Sequence, residues 1–182
     1  MRNARAILTI GWAFALAAGC ETRPRAPVLS DDPVYQNDRE GFRFLAPKGW
    51  SQSTRAEVPS GKLDTETPLV AYLPETDSAS ASFRVSLIDL PASADLGQHV
   101  ARPSYGVDHW SQTGAPEEVA VGSTTGVRYT LRGHTQKEEL IKEVVCLRRG
   151  ERVYFFTAMY TSTDIEARDE LRRVIKSIIW KD

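Results

Sequence analysis

Residues 152–161 read RVYFFTAMYT, and this stretch decides the fold class. Successive side chains of a β-strand point to opposite faces of a sheet. Both faces of this strand would be apolar, one with Val153, Phe155 and Met159 and the other with Tyr154, Phe156 and Ala158. A strand that is apolar on both faces is usually central and covered on both sides. The stretch therefore predicts a sheet with a packed layer on each face.

An amphipathic helix is predicted directly after that strand. Thr163 and Glu166 have the spacing of a capping box at its start. Its apolar face carries Ala167, Leu171, Val174, Ile175 and Ile178, which is the spacing of one helical stripe. The opposite face carries Arg168, Glu170, Arg172, Arg173 and Lys176. We expect the stripe to pack on the sheet, Trp180 to close the edge of the domain, and Arg172 to be dispensable for stability.

Shorter alternating runs predict further antiparallel strands. They lie at residues 42–46, 69–73, 81–90, 117–122, 126–134 and 140–148. In the third of these runs, Phe83, Val85 and Leu87 would face the core, and Arg84 and Ser86 the other side. The predicted class is α+β, with an antiparallel sheet between helices.

Residues 92–115 are less regular. Ser93 or Asp95 would cap a short helix that ends at Val100, and Pro103 lies just beyond its end. Residues 107–112 predict a second helical turn, while the polar residues 51–67 predict an exposed loop.

The first twenty residues have the layout of a secretory signal. Arg2 and Arg5 precede an uncharged run at residues 6–18, which is shorter than the roughly 20 residues that span a bilayer. Small residues then lead to Cys20, so the segment resembles the lipobox of bacterial lipoproteins. An ordinary cleaved signal with an incidental cysteine is the alternative.

The lipobox resemblance implies cleavage before Cys20, acylation of that cysteine and attachment to a membrane outside the cytoplasm. The expected organisation is a signal at residues 1–19, a proline-containing flexible tether at 20–36 and one domain at 37–182. Glu21 is not the aspartate that retains enteric lipoproteins at the inner membrane, so the periplasmic face of the outer membrane is favoured.

Charge and cysteine content exclude some functions. Removing residues 1–19 leaves 21 basic and 24 acidic residues, which argues against a nucleic-acid surface. With Cys20 lipidated, Cys146 has no partner for an intramolecular disulfide. It lies in an apolar run, so we interpret it as a small core residue and not as a reactive thiol.

Both ends of the domain resemble the PsbP-like fold, which Ran-binding nuclear-transport proteins share. The resemblance rests on the Gly-Phe-x-Phe and Pro-x-Gly-Trp motifs in residues 41–50. It rests also on the aromatic strand and Lys-Ser-Ile-x-Trp ending in residues 152–180. It implies an antiparallel sheet between helices and a role in protein binding or assembly. No functional residue of the family is recognisable here.

Catalytic and metal-binding patterns are weak. The histidines His99, His109 and His134 form no metal-binding motif. A metal site from Asp95, His99, Asp108 and His109 would require the chain to fold back on itself. Ser104 or Ser111 with Asp108 and His109 has the residue types of a catalytic triad. The adjacent side chains of Asp108 and His109 are, however, poorly placed to orient each other. Glu138 and Glu139 are interpreted as a charged turn. We expect no metal, no cofactor and no enzyme activity.

A row of arginines is the main surface feature that the sequence predicts. It would contain Arg128 and Arg132, with Arg84 and Arg43 as further members. Such a row is either a solvated or helix-covered strand face or a patch for an anion or an acidic partner.

Three functions remain. The first is a non-catalytic lipoprotein that binds an envelope protein or assists assembly of an envelope complex. The second is a lipoprotein that holds a small ligand or anion between the sheet and residues 92–115. The third, a hydrolytic enzyme, would need distant residues to converge.

Overall fold

The computed structural model describes residues 31–53, 66–75 and 81–180. The first five strands are β1 (Val34–Asn37), β2 (Phe42–Leu45), β3 (Trp50–Ser53), β4 (Thr67–Pro74) and β5 (Ser82–Asp89). The next five are β6 (Ser111–Gln112), β7 (Glu117–Val121), β8 (Thr124–His134), β9 (Glu139–Arg149) and β10 (Arg152–Thr161). Strand β11 (Ile179–Trp180) ends the described chain, and the helices are α1 (Leu96–Val100) and α2 (Ile165–Lys176).

The strands form two antiparallel sheets. The larger sheet has the order β3-β4-β5-β10-β9-β8-β6, with β7 also paired to β8. Strand β10 is central, between β5 and β9, as its two apolar faces predict. The smaller sheet has the order β1-β2-β11. The described domain is thus mostly antiparallel sheet with two helices, which agrees with the predicted α+β class.

One face of the larger sheet, here called the α2 face, packs against α2 and the smaller sheet. The predicted helical stripe is confirmed, because Ala167, Leu171, Val174, Ile175 and Ile178 are all buried. The ring of Phe42 on β2 lies 5.7 Å from that of Phe156 and 5.0 Å from that of Trp180, measured between centroids. Trp180 therefore joins the core through the second sheet, a contact that no pattern in the sequence predicts.

The opposite face, here called the α1 face, packs against α1 and residues 101–110. Its core combines Val153, Phe155 and Met159 with Val100, Val107 and Trp110. Gly133 allows this close approach, since a Cβ there would lie 2.5 Å from Val107 and 2.9 Å from Trp110. On each face a helix forms only part of the packed layer, and the smaller sheet or residues 101–110 form the rest. The expected sandwich of a sheet between helices is therefore only partly present.

Several local expectations differ from the structure. Strand β1 includes residues that were assigned to the tether, because it pairs with β2 and places the ring of Tyr35 4.9 Å from that of Phe44. The predicted helical turn at 107–112 is wrong, since residues 111–112 pair with β8 as strand β6. The cap of α2 is Asp164, whose carboxylate accepts from the amide of Ala167, and not Thr163.

The predicted signal, Cys20 and most of the tether lie outside the described residues, as do residues 54–65 of the predicted loop. At its described ends that loop prediction is wrong, because residues 51–53 pair with β4 as part of β3 and Thr67 begins β4. Within the described ranges, no helix has the length and apolar character needed to cross a membrane.

The polar face of α2 contains one residue that is not a free surface group. Arg172 donates through Nη2 to Oε1 of Glu143 at 2.5 Å and through Nε to Oε2 at 3.3 Å. Glu143 is only 1% exposed and also accepts from the hydroxyl of Tyr160. Arg172 thus partners a buried carboxylate, which removes the basis for expecting it to be dispensable.

Truncating Leu171 to alanine should lower the free energy of unfolding by about 2–5 kcal/mol, because the side chain is fully buried against the sheet. The control Arg168→Ala, on the polar face, should stay within about 0.5 kcal/mol of wild type. Urea denaturation of both variants checks the docking of α2. Equal, small losses would contradict it.

Arg172→Ala should lower the free energy of unfolding by about 1.5–3 kcal/mol, nearer the lower value because the guanidinium is partly exposed. Arg172→Lys keeps the charge but loses the two-pronged bond, so its loss should be intermediate. Urea denaturation gives both values. An Arg172→Ala variant as stable as wild type would show that Glu143 does not depend on this partner.

Candidate functional site

A small cavity on the α1 face contains the densest group of buried charges in the described chain. Its volume is about 30 Å³, and it lies between the strands β5, β9 and β10 on one side and α1 with residues 102–105 on the other. The polar residues of its lining are Glu66, Arg84, His99, Arg102, Ser104, Tyr105, Lys142 and Thr157. Such charged residues are seldom buried without partners, so each contact is informative.

Glu66, just before β4, is the hub of this charged cluster. Its Oε1 accepts from Nε2 of His99 at 2.9 Å, and its Oε2 accepts from the hydroxyl of Ser86 at 2.5 Å and from Nη2 of Arg84 at 3.3 Å. Burial by itself would raise the pKa of Glu66. Bonds from His99 and Ser86, with the charge of Arg84, outweigh burial and hold that pKa below its usual value. Glu66 is therefore an anion within the core.

Helix α1 and its cap position His99. Asp95 begins the helix by accepting from the amide of Gln98 at 3.1 Å, as one of the two predicted caps. One turn later, the ring of His99 stacks on that of Phe155 with a centroid distance of 4.9 Å. The ring is thereby oriented so that Nε2 reaches Glu66.

Lys142 on β9 is the second buried cation of the cavity, and it is 4% exposed. Its Nζ donates to Oγ of Ser104 at 3.1 Å and lies 4.3 Å from the ring centroid of Trp110. Burial lowers the pKa of Lys142 to about 7; the negative charge of Glu66 opposes this shift and the positive charge of Arg84 adds to it. The lysine therefore changes charge near neutral pH.

A tight turn carries Ser104 to the lysine. Ser104 and Val107 exchange backbone hydrogen bonds of 3.1 and 3.0 Å, and the two residues between them have positive φ, 56° at Tyr105 and 73° at Gly106. Two positive φ values are characteristic of a type I′ turn. A bulky residue such as Tyr105 is strained there, and its ring lies 5.9 Å from the guanidinium carbon of Arg84.

The predicted row of arginines does not exist as one surface. Arg84 points to the α1 face, and it is only 7% exposed because that face is covered. Its Nε is buried and has no hydrogen-bond acceptor among the described residues. Arg128 pairs with Glu117 beside α2, Arg132 pairs with Glu139 at 3.4 Å, and Arg43 lies on β2 in the other sheet.

The other candidate residues are dispersed. Asp108, His109 and Ser111 line a shallow depression with His134, away from His99. In the described ranges, no three metal-ligating side chains come together. Ser104 bonds to Lys142 and Trp110 and not to a histidine. Cys146 is 3% exposed, and burial raises the pKa of its thiol, which fits a core residue.

One signal for this cluster was present in the sequence. Lys142 and Glu143 are adjacent charges inside the otherwise apolar run from Leu140 to Leu147, and each is buried on a different face of the sheet. The sequence around Glu66 does not indicate burial, because the residue follows a polar segment. Its partners Arg84 and His99 are distant in the chain and are brought to it only by folding.

A second concave surface lies between α2 and the β7–β8 hairpin, with a volume of about 390 Å³. We call it the α2 groove. Its apolar side chains are Val119, Ala120, Val145 and Ile175, and its charged ones are Arg128, Glu143, Arg172 and Lys176.

No family model and no curated protein sequence matches the chain. Solved structures do match it in shape. The solution structure of cyanobacterial PsbP (CyanoP) from Synechocystis is 12% identical, with 86% of this chain and 96% of that chain covered and a TM-score of 0.56. The crystal structure of the Saccharomyces cerevisiae Ran-binding protein Mog1p is 16% identical, with 84% and 96% covered and a TM-score of 0.53. These similarities show a PsbP/Mog1-like fold.

Proposed function

We propose that this protein is a lipid-anchored, non-catalytic lipoprotein of the bacterial envelope that binds an acidic segment of a protein partner through the α2 groove. The anchor is the predicted acyl-modified Cys20, and the location that we favour is the periplasmic face of the outer membrane. The observation that carries the proposal is the combination of apolar and basic side chains in an open groove.

The exposed charge of the α2 groove is mainly positive. Arg172 and Glu143 form an ion pair, in which the carboxylate side chain is 2% exposed and the guanidinium side chain is 43% exposed. The acid therefore lies beneath the surface and the cation at it. Lys176 is exposed on the next turn of α2. The arginine Arg128 has its own acidic neighbour, Glu117, at the outer rim.

The floor between these cations is apolar. Val145 is 1% exposed and Ile175 is 8% exposed, while Ala120 on β7 is accessible. A partner segment with carboxylates and small apolar residues would complement this combination in charge and shape. The similarity to Mog1p supports protein binding in a general way, since that protein is described as Ran-binding.

Membrane attachment would favour such an interaction. A lipid anchor confines the domain to a surface, which raises its concentration relative to a partner in the same membrane. Each buried methylene contributes about 0.8 kcal/mol, so several acyl chains on one cysteine hold the protein durably.

Lipidation predicts a defined mature N-terminus. Mass spectrometry of the protein extracted from bacterial membranes should find that Cys20 is the first residue and carries acyl mass. Cys20→Ala should abolish the acyl mass and block cleavage at this position. An unmodified Cys20, or cleavage at another site, would reject the anchor.

Partner binding predicts position-specific cross-linking. A photoreactive residue replacing Ala120 should capture an envelope protein in cells, whereas the same residue replacing Arg39, an exposed site outside the groove, should not. Lys176→Glu should reduce capture at position 120 because it opposes an acidic segment, and Lys137→Glu is the charge-matched control. Capture that is equal from both positions, or unaffected by Lys176→Glu, would contradict the proposed surface.

A further inference from the structure

The cavity on the α1 face contains more positive than negative charge. Among the described residues that line it, the cations Arg84 and Lys142 and the titratable His99 face a single carboxylate, Glu66. Tyr105 is the other titratable group at the turn, and Arg102 is an exposed cation in the lining. Buried charge without a counterion is strongly unfavourable, so one more anion would balance this environment.

The hydrogen-bonding capacity of the two buried cations is also incompletely used. Both oxygens of Glu66 are engaged by His99, Ser86 and Arg84. An ammonium group has three donors, and Ser104 is the one hydrogen-bond acceptor of Lys142 in the described chain. Ser104 in turn already accepts from Nε1 of Trp110 at 3.0 Å. The lysine thus has donors to spare, beside a guanidinium with an unpaired Nε.

The size of the cavity limits what it can hold. Its volume is only about 30 Å³. Exposed Arg102 is part of its lining, so the cavity reaches the surface beside that residue. A single small polar group fits, and a large ligand could insert only one end.

We propose that this cavity binds a carboxylate group, held by Lys142 and by the positive field of Arg84 and entering beside Arg102. The group belongs either to a small free carboxylate or to the carboxylate end of a larger molecule. The site is independent of the α2 groove, because the two lie on opposite faces of the larger sheet.

Protonation of Lys142 links binding to pH. With a pKa of about 7, the lysine is about nine-tenths charged at pH 6 and about one-tenth charged at pH 8. Because a carboxylate binds the ammonium form, its affinity should fall about tenfold between these pH values. Binding at pH 7.5 should also take up protons, since the bound anion favours the charged lysine.

Calorimetric titration of the full chain with sodium formate, with sodium chloride at the same ionic strength as reference, tests the site. Formate should bind at pH 6 where chloride does not, about tenfold more weakly at pH 8, with proton uptake at pH 7.5. N-acetylglycine is the second probe: tighter binding than formate indicates the end of a larger molecule, and weaker binding a small free carboxylate. If neither probe binds better than chloride, the proposal is overturned.

Two lysine variants assign the binding to this cavity. Lys142→Met removes the ammonium group with little change in size and should abolish formate binding. Lys137→Met makes the same change at an exposed turn and should leave it unaltered. Formate binding that persists in Lys142→Met would overturn the assignment. If that variant does not fold, the pH dependence and proton uptake of the wild type decide, because binding without either excludes a lysine that titrates near pH 7.

Discussion

Strand β10 is buried on both faces, and the rest of the described structure depends on satisfying both of them. From Val153 to Tyr160 every residue of the strand is buried. A sheet with such a strand at its centre must carry a cover on each side, because exposing either row of apolar side chains would forfeit a large part of the hydrophobic stabilisation. Helix α2 with the smaller sheet covers one face, and α1 with residues 101–110 covers the other.

The layers that pack on the two faces differ in the partners that they provide for a buried charge. Lys142 and Glu143 are consecutive on β9, so the alternation of the strand sends them to opposite faces. Glu143 meets Arg172 and Tyr160 beneath α2, where its charge is matched. Lys142 meets a serine and an aromatic ring beneath the 104–107 turn, where its charge is not matched by a carboxylate of its own. The α1 face is therefore the side on which a ligand can supply the carboxylate partner that Lys142 does not have among the described residues.

Elements with a strong hydrophobic periodicity could be predicted from the sequence. Short strands and buried charge pairs could not, because they depend on contacts between residues that are distant in the chain. The apolar faces of β10 and the stripe of α2 are local patterns, so both were found, and one of the two candidate caps of α1, Asp95, is the cap. Strands β1 and β6 are too short for periodicity and exist because β2 and β8 pair with them. Arg84 was expected to share a surface with Arg128, because alternation defines two faces but cannot show that both are covered. The partnership of Glu66 with His99 spans 33 residues and has no local signal.

The α1 layer covers the second face of the sheet and buries Lys142 beneath it. The pKa of Lys142, measured by nuclear magnetic resonance on the side chain, tests it most directly, with Lys142→Met used to assign the signal. Burial of Lys142 predicts a titration midpoint of about 7, because the desolvated ammonium is unfavourable. A midpoint near 10.5, the ordinary value for a lysine, would show that the residue is solvated and that the second face is open.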